Sequence, residues 1–199
     1  MKYDDLRKLT NKKIFSINDM ELVNEKIYSY QLNLWAKKGY LVQLKRGIYA
    51  FNDDLNKIMT EEVSLIIYRP SYISLEKALF IYGFIPEITY SFTNVTSKTN
   101  RIFNNKFGRF IYRHIKPELF WGYKQKVIEN GMYLIAEPEK AILDYLYLNI
   151  SKINSKDDFE NIRFNYDSIK ENIDSNKFEN YIKAFNIKKL KKWAELCLR

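Results

Sequence analysis

Lys26, Ser29, Asn33 and Lys37 recur at intervals of three and four through the stretch EKIYSYQLNLWAKK, a spacing that puts all of them on one side of a helix. Two cations and two short hydrogen-bonding side chains on one strip can hold phosphate and read base edges. Lysine donates to phosphate or guanine, asparagine pairs with adenine, and serine fits either. Lys45 and Arg46 stand together at the tip of the following YLVQLKRGIYAF. There they can lie against a nucleic-acid backbone or reach into its minor groove. Nearly every surface helix has a polar side and turns often carry solubilising charge, so solvation is the competing reading of both sets.

Other chemistry is poorly represented. The chain has a single histidine, His114, and a single cysteine, Cys197, too few for a Cys/His zinc site and unsuited to a Ser-His-Asp arrangement. No glycine-rich phosphate loop occurs. The aspartate pairs Asp4-Asp5, Asp53-Asp54 and Asp157-Asp158 are adjacent rather than alternate, so on a strand their carboxylates would face opposite ways; they read as helix starts. Glu137, Glu139 and Asp144 sit in a helical stretch, the first two near its positive end, and read as stabilising rather than catalytic acids. We therefore expect no enzyme activity, no metal and no cofactor.

Charge supports a polyanion partner. Residues 1–52 hold ten Lys/Arg against five Asp/Glu, residues 53–185 hold eighteen of each, and residues 186–199 hold five Lys/Arg against Glu195 alone. The whole net charge of +9 therefore lies at the two ends, which concentrates a basic field there. A Lys-, Asn-, Ile- and Tyr-rich composition raises lysine everywhere, but it does not explain a neutral middle. One cysteine suggests a reducing compartment. No apolar run approaches the roughly 20 residues that span a bilayer, and the opening MKYDDLRKLTNKK lacks an apolar segment. The expectation is a soluble cytoplasmic protein without a membrane partner.

The elements that must position these residues follow from local signals. Residues 4–12 read as a short first helix. Ser16 can cap a second with Asp19 at its N3 position. Asn24 can cap a third, running to a Gly39 terminus, with Ile27, Tyr28, Tyr30, Leu32, Leu34 and Trp35 expected to form a broad buried arc. YLVQL and GIYAF read as a hairpin. Three helices and a hairpin in this order match a winged helix-turn-helix over residues 1–55, with an acidic boundary at 53–60. Residues 56–199 read as a larger mixed α+β domain. It includes helices at EEVSLIIY and, under a Ser74 cap, at LEKALFIYGFI, strands at TYSFTNVTS and FGRFIYRHI, and an Asn130-Gly131 hairpin. A helix entered at Pro138 follows, and then a helical C-terminal segment. The overall expectation is an α+β fold. The last helix, KKLKKWAELCLR, has Leu190, Trp193, Ala194 and Leu196/Cys197 on one side and reads either as a packed amphipathic helix or as a further contact surface.

These residues resemble a known family. FSINDM…LNLWAKKGYLVQLKRGIYAF is similar to the N-terminal winged helix of AbiEi-type antitoxins, the regulators of abortive-infection toxin–antitoxin pairs. Their G-x-L-x-x-L-x-R-G-x-Y wing is filled here by Gly39, Leu41, Leu44, Arg46, Gly47 and Tyr49. YISLEKALFIYGFI (72–85) and AEPEKAILDYLYL (136–148) resemble the family's second half. The resemblance runs from about residue 3 to residue 150. It implies that the N-terminal region binds double-stranded operator DNA in the protein's own promoter, through Lys26, Ser29, Asn33, Lys37, Lys45 and Arg46. It also implies that the C-terminal region opposes a nucleotidyltransferase-like toxin. The alternative is a stand-alone regulator whose C-terminal domain senses a ligand or oligomerises.

Overall fold

Two β-sheets organise the chain. In the computed structural model, which describes residues 2–10, 12–21, 27–128 and 131–198, a three-stranded sheet near the N-terminus is followed by a six-stranded one, with helices throughout. The structure is α+β.

The N-terminal elements are α1 (Tyr3–Leu9), β1 (Ile14–Ser16), α2 (Ile17–Glu21), α3 (Ser29–Lys37), β2 (Leu41–Lys45) and β3 (Ile48–Phe51). The expected start of α2 is present: Ser16 Oγ accepts from the Asp19 N–H at 3.1 Å while Asp19 Oδ2 accepts from the Ser16 N–H at 2.7 Å, a reciprocal capping box. α3 ends on Gly39 at φ 78. There the Tyr40 N–H bonds the Trp35 carbonyl at 2.9 Å and the Gly39 N–H bonds that of Ala36 at 3.0 Å, a Schellman closure that needs a left-handed residue.

Two expectations about α3 are corrected. It begins at Ser29 behind an extended Tyr28 whose N–H is taken by Gln31 Oε1 at 3.3 Å; the proposed Asn24 cap lies outside the described residues. Its buried face is also narrower than expected. Ile27 ahead of the helix and Leu32 and Trp35 within it are buried, but Tyr28, Tyr30 and Leu34 are exposed. The helix lies on its sheet along a seam rather than a broad arc.

The sheet order is β1-β3-β2, all antiparallel. β1 is too short to show a pattern, and the sequence did not announce it. Alternation makes the sheet two-faced. Phe15, Leu41, Tyr49 and Phe51 join Leu6, Met20, Leu32 and Trp35 in a first core. Ile14, Leu44 and Ala50 face the other way, onto Ile58, Val63, Ile67, Phe110 and Tyr112. Each large side chain so enclosed contributes about 1.5–3 kcal/mol. The second face therefore joins the N-terminal sheet to the rest of the chain. Residues 53–60 are a 3-10 turn (Asn52–Lys57) leading into α4 (Thr60–Ile67). Its Asp54 is buried, with Arg7 Nη2 at 2.5 Å and Lys57 Nζ at 3.1 Å.

The larger sheet holds β4 (Ser71–Ile73), β5 (Ser91–Thr96), β6 (Arg101–Asn105), β7 (Gly108–His114), β8 (Tyr123–Ile128) and β9 (Gly131–Ala136), in the order β6-β7-β5-β4-β9-β8. It is mixed: β5 runs parallel to β7 and β4 parallel to β9. β8 and β9 pair as a hairpin, as expected, but Gly131 lies opposite Ile128 and so belongs to β9 rather than to the turn, which corrects the Asn130-Gly131 reading; Asn130 lies outside the described residues. α5 (Leu75–Ile81) and α6 (Pro138–Asn149) pack together, with Pro138 at the first turn of α6. α7 (Lys156–Glu160), α8 (Tyr166–Asn172), α9 (Ser175–Phe185) and α10 (Lys188–Glu195) follow, α9 and α10 both lying on α6. Leu190, Trp193, Ala194 and Cys197 are buried, so the tail packs through the side chains its pattern indicated.

Candidate nucleic-acid interface

α3 and the hairpin border one groove. It has a volume of about 730 Å³ and is lined by Ile17 and Asn18 of α2, Ser29 and Asn33 of α3, and Gln43, Lys45, Arg46, Gly47 and Tyr49 of the hairpin, among others. Local geometry accounts for the convergence. The Ile17 N–H bonds the Gly47 carbonyl at 3.0 Å, which pins the hairpin tip beside the start of α2. Gly47 sits at φ 81, a left-handed turn conformation that favours glycine.

Ser29 and Asn33 are one helical turn apart, both exposed, and their side chains have no hydrogen-bond partner among the described residues. Arg46 is exposed and likewise without an ion pair among them. Lys37 is exposed one turn beyond Asn33. Lys37 lies eight positions beyond Ser29, about 12 Å of helix at about 1.5 Å per residue. Lys26 lies outside the described residues.

Lys45 is placed otherwise than its neighbour. A register irregularity separates Gln43 from Lys45 on β2, and Lys45 is half-buried. Its ammonium donates to the Ile67 carbonyl at 3.0 Å and lies over the rings of Tyr68 and Phe103, 5.6 and 5.4 Å from their centroids. Lys45 and Arg46, read together in the sequence, are thus placed differently: one ties the hairpin to α4 and β6, and the other remains open. Asn105 adds a second tie, its Nδ2 donating to the Leu44 carbonyl at 3.1 Å.

Asn18 and Gln43 also line the groove, and the sequence reading did not single them out. Gln43 donates to Tyr49 Oη at 3.2 Å across the hairpin. Its position opposite Tyr49 is set by the register irregularity on β2, since a two-residue turn at Arg46-Gly47 alone would bring it opposite Ala50, and no local sequence signal marks that irregularity.

The acids of the C-terminal region are engaged elsewhere. Glu137 accepts from the Tyr181 hydroxyl and pairs with Lys177 at 3.0 Å. Burial pushes its pKa up, but the hydrogen bonds from Tyr181 and Lys177 prevail and hold it below the usual range. Glu139 accepts the Asp174 N–H at 3.0 Å. Asp144 is fully enclosed with Lys140, Tyr72 and Ser74. Ser74, expected to cap α5, gives its hydroxyl to Asp144 at 2.9 Å instead. His114 is exposed, its Nδ1 2.9 Å from the Lys98 carbonyl.

No protein-family model matches the chain, and no curated protein matches it. Among the described residues no helix is long and apolar enough to cross a membrane.

Proposed function

We propose that this protein is a DNA-binding antitoxin that represses its own promoter. In this reading residues 1–55 act as a winged helix-turn-helix, with α3 the recognition helix and the β2–β3 hairpin the wing. The observation that carries it is the meeting of Ser29, Asn33 and Arg46 on one open groove, with no partner of their own among the described residues. Ser29 and Asn33 occupy the N-terminal half of α3, the part of a recognition helix that meets base edges. Asn33 suits adenine and Ser29 either purine edge. Arg46 and Lys37 neutralise phosphates on either side. Lys45 contributes by holding the wing at a fixed angle to the rest of the chain.

Antagonism of a nucleotidyltransferase-like toxin by the α+β region rests on the resemblance of residues 72–85 and 136–148. Co-expression with the adjacent reading frame tests it: co-purification or rescue of growth supports it, and neither would remove it. For the DNA reading, affinity for the protein's own promoter fragment is measured against salt. A steep decline is expected, and Arg46→Ala should weaken binding and lower the log–log salt slope by about one. Unchanged affinity in both Arg46→Ala and Asn33→Ala would overturn the assignment of the groove.

A further inference from the structure

A second pocket, of about 200 Å³, opens where α4 gives way to β4, beside β8 and β9. Phe120, Tyr123 and Leu134 supply apolar walls. The aromatic wall is backed by Tyr72, stacked on Tyr123 with centroids 4.7 Å apart, and Phe120 lies 5.4 Å from Tyr123. Ser71 lines this pocket, is 1% exposed, and its hydroxyl has no hydrogen-bond partner among the described residues. Buried hydroxyls in folded proteins are nearly always satisfied, so Ser71 Oγ points to a partner from outside the chain. Arg69 lines the same pocket, is exposed, and has no ion pair among the described residues.

An apolar slot with one buried hydroxyl and one open guanidinium describes an amphipathic ligand. The guanidinium fork fits a carboxylate in two-point contact, and the aromatic wall fits a flat ring. The volume falls below the roughly 300–1,000 Å³ of pockets for drug-sized molecules, which limits the occupant to a single ring. We propose that this pocket binds a small aryl carboxylate. Its ring lies against Phe120, Tyr123 and Leu134, its carboxylate is held by Arg69, and one of its oxygens accepts from Ser71. The site lies apart from the α3 groove and rests on no part of the DNA reading.

Met132 lines the pocket and is 39% exposed, so its methyl group reports occupancy directly. The experiment titrates methyl-labelled full-length protein with benzoate and follows the methionine methyl resonances by NMR. Expected is a saturable shift of Met132, with Met20 and Met59 unmoved. Binding should weaken at least tenfold in Arg69→Gln and in Ser71→Ala, and at least tenfold when benzyl alcohol replaces benzoate. Absence of a saturable Met132 shift would mean that water alone satisfies Ser71, and would overturn the proposal. Undiminished benzoate binding in either variant, or equal binding of benzyl alcohol, would overturn it as well.

Discussion

α3 and α6 carry polar pairs at the same spacing and treat them in opposite ways. On α6, Lys140 and Asp144 are both wholly enclosed. Lys140 Nζ bonds Asp144 and lies 3.0 Å from the Tyr72 hydroxyl, while Tyr72 and Ser74 each donate to the other Asp144 oxygen at 2.9 Å. Burial pushes the Lys140 pKa down and that of Asp144 up, against their mutual attraction. On α3, Ser29 and Asn33 face an open groove with no side-chain hydrogen-bond partner among the described residues. An i, i+4 interval establishes only that two residues share a side. What that side meets decides whether they complete the fold or wait for another molecule.

The largest expected effect breaks the enclosed pair. Asp144→Ala leaves the Lys140 ammonium buried without its counter-charge and should cost about 3–5 kcal/mol in urea denaturation. Replacing both members by Met and Leu should recover most of that loss, since an apolar pair of similar volume carries no desolvation penalty. A cost below about 1 kcal/mol for the single variant, the range of exposed ion pairs, would dissolve the contrast between the helices.

The same test on α3 should read the other way. Asn33→Ala should change stability by no more than about 0.5 kcal/mol, yet remove about 1–3 kcal/mol of discrimination at one base pair of the operator. Binding to operator variants checks it; a loss spread evenly over all sequences would make Asn33 a phosphate contact instead. Lys45→Met is the intermediate case. Removing its bond to Ile67 should cost about 1 kcal/mol of stability and reduce operator affinity without changing the preferred sequence. A change of sequence preference would return Lys45 to the reading surface.

What was legible in the sequence tracks how local each feature is. The Ser16–Asp19 cap, the Gly39 terminus, the hairpin of YLVQL and GIYAF and Pro138 at the head of α6 depend on neighbours within a few positions, and all are present, the hairpin turn falling at Arg46-Gly47, one residue later than the two runs imply. The strip of Ser29, Asn33 and Lys37 was legible for the same reason. Features set by distant partners were not. Lys45 is turned aside by a carbonyl 22 residues away, and Ser74 is taken from its helix by a carboxylate 70 residues away. The exposure of Tyr30 and Leu34 depends on how narrowly α3 meets its sheet, which a helical period does not contain. β1 forms because β3 lies ready beside it, with Ile14 opposite Ala50.

Asp54 lies between the two extremes and gives the smallest expected effect. Its carboxylate is nearly enclosed, but its partners Arg7 and Lys57 are 39% and 66% exposed, so the tie is partly screened. Burial pushes the Asp54 pKa up; the hydrogen bonds from Arg7 and Lys57 outweigh it and leave the carboxyl below its ordinary value. A group depressed in the folded state stabilises above its unfolded pKa, about 3.9 for aspartate, and loses that contribution as pH falls through the folded value. Asp54→Asn should therefore be less stable than the parent at pH 7, by about 1 kcal/mol after allowance for screening. The gap should narrow as pH drops below about 4, because the parent carboxyl then becomes neutral as well. Urea midpoints of both proteins between pH 7 and 3 measure it. A gap that stays constant across that range would mean that Arg7 and Lys57 do not hold the carboxylate in its charged form, and that Asp54 belongs with the fully enclosed polar groups of α6.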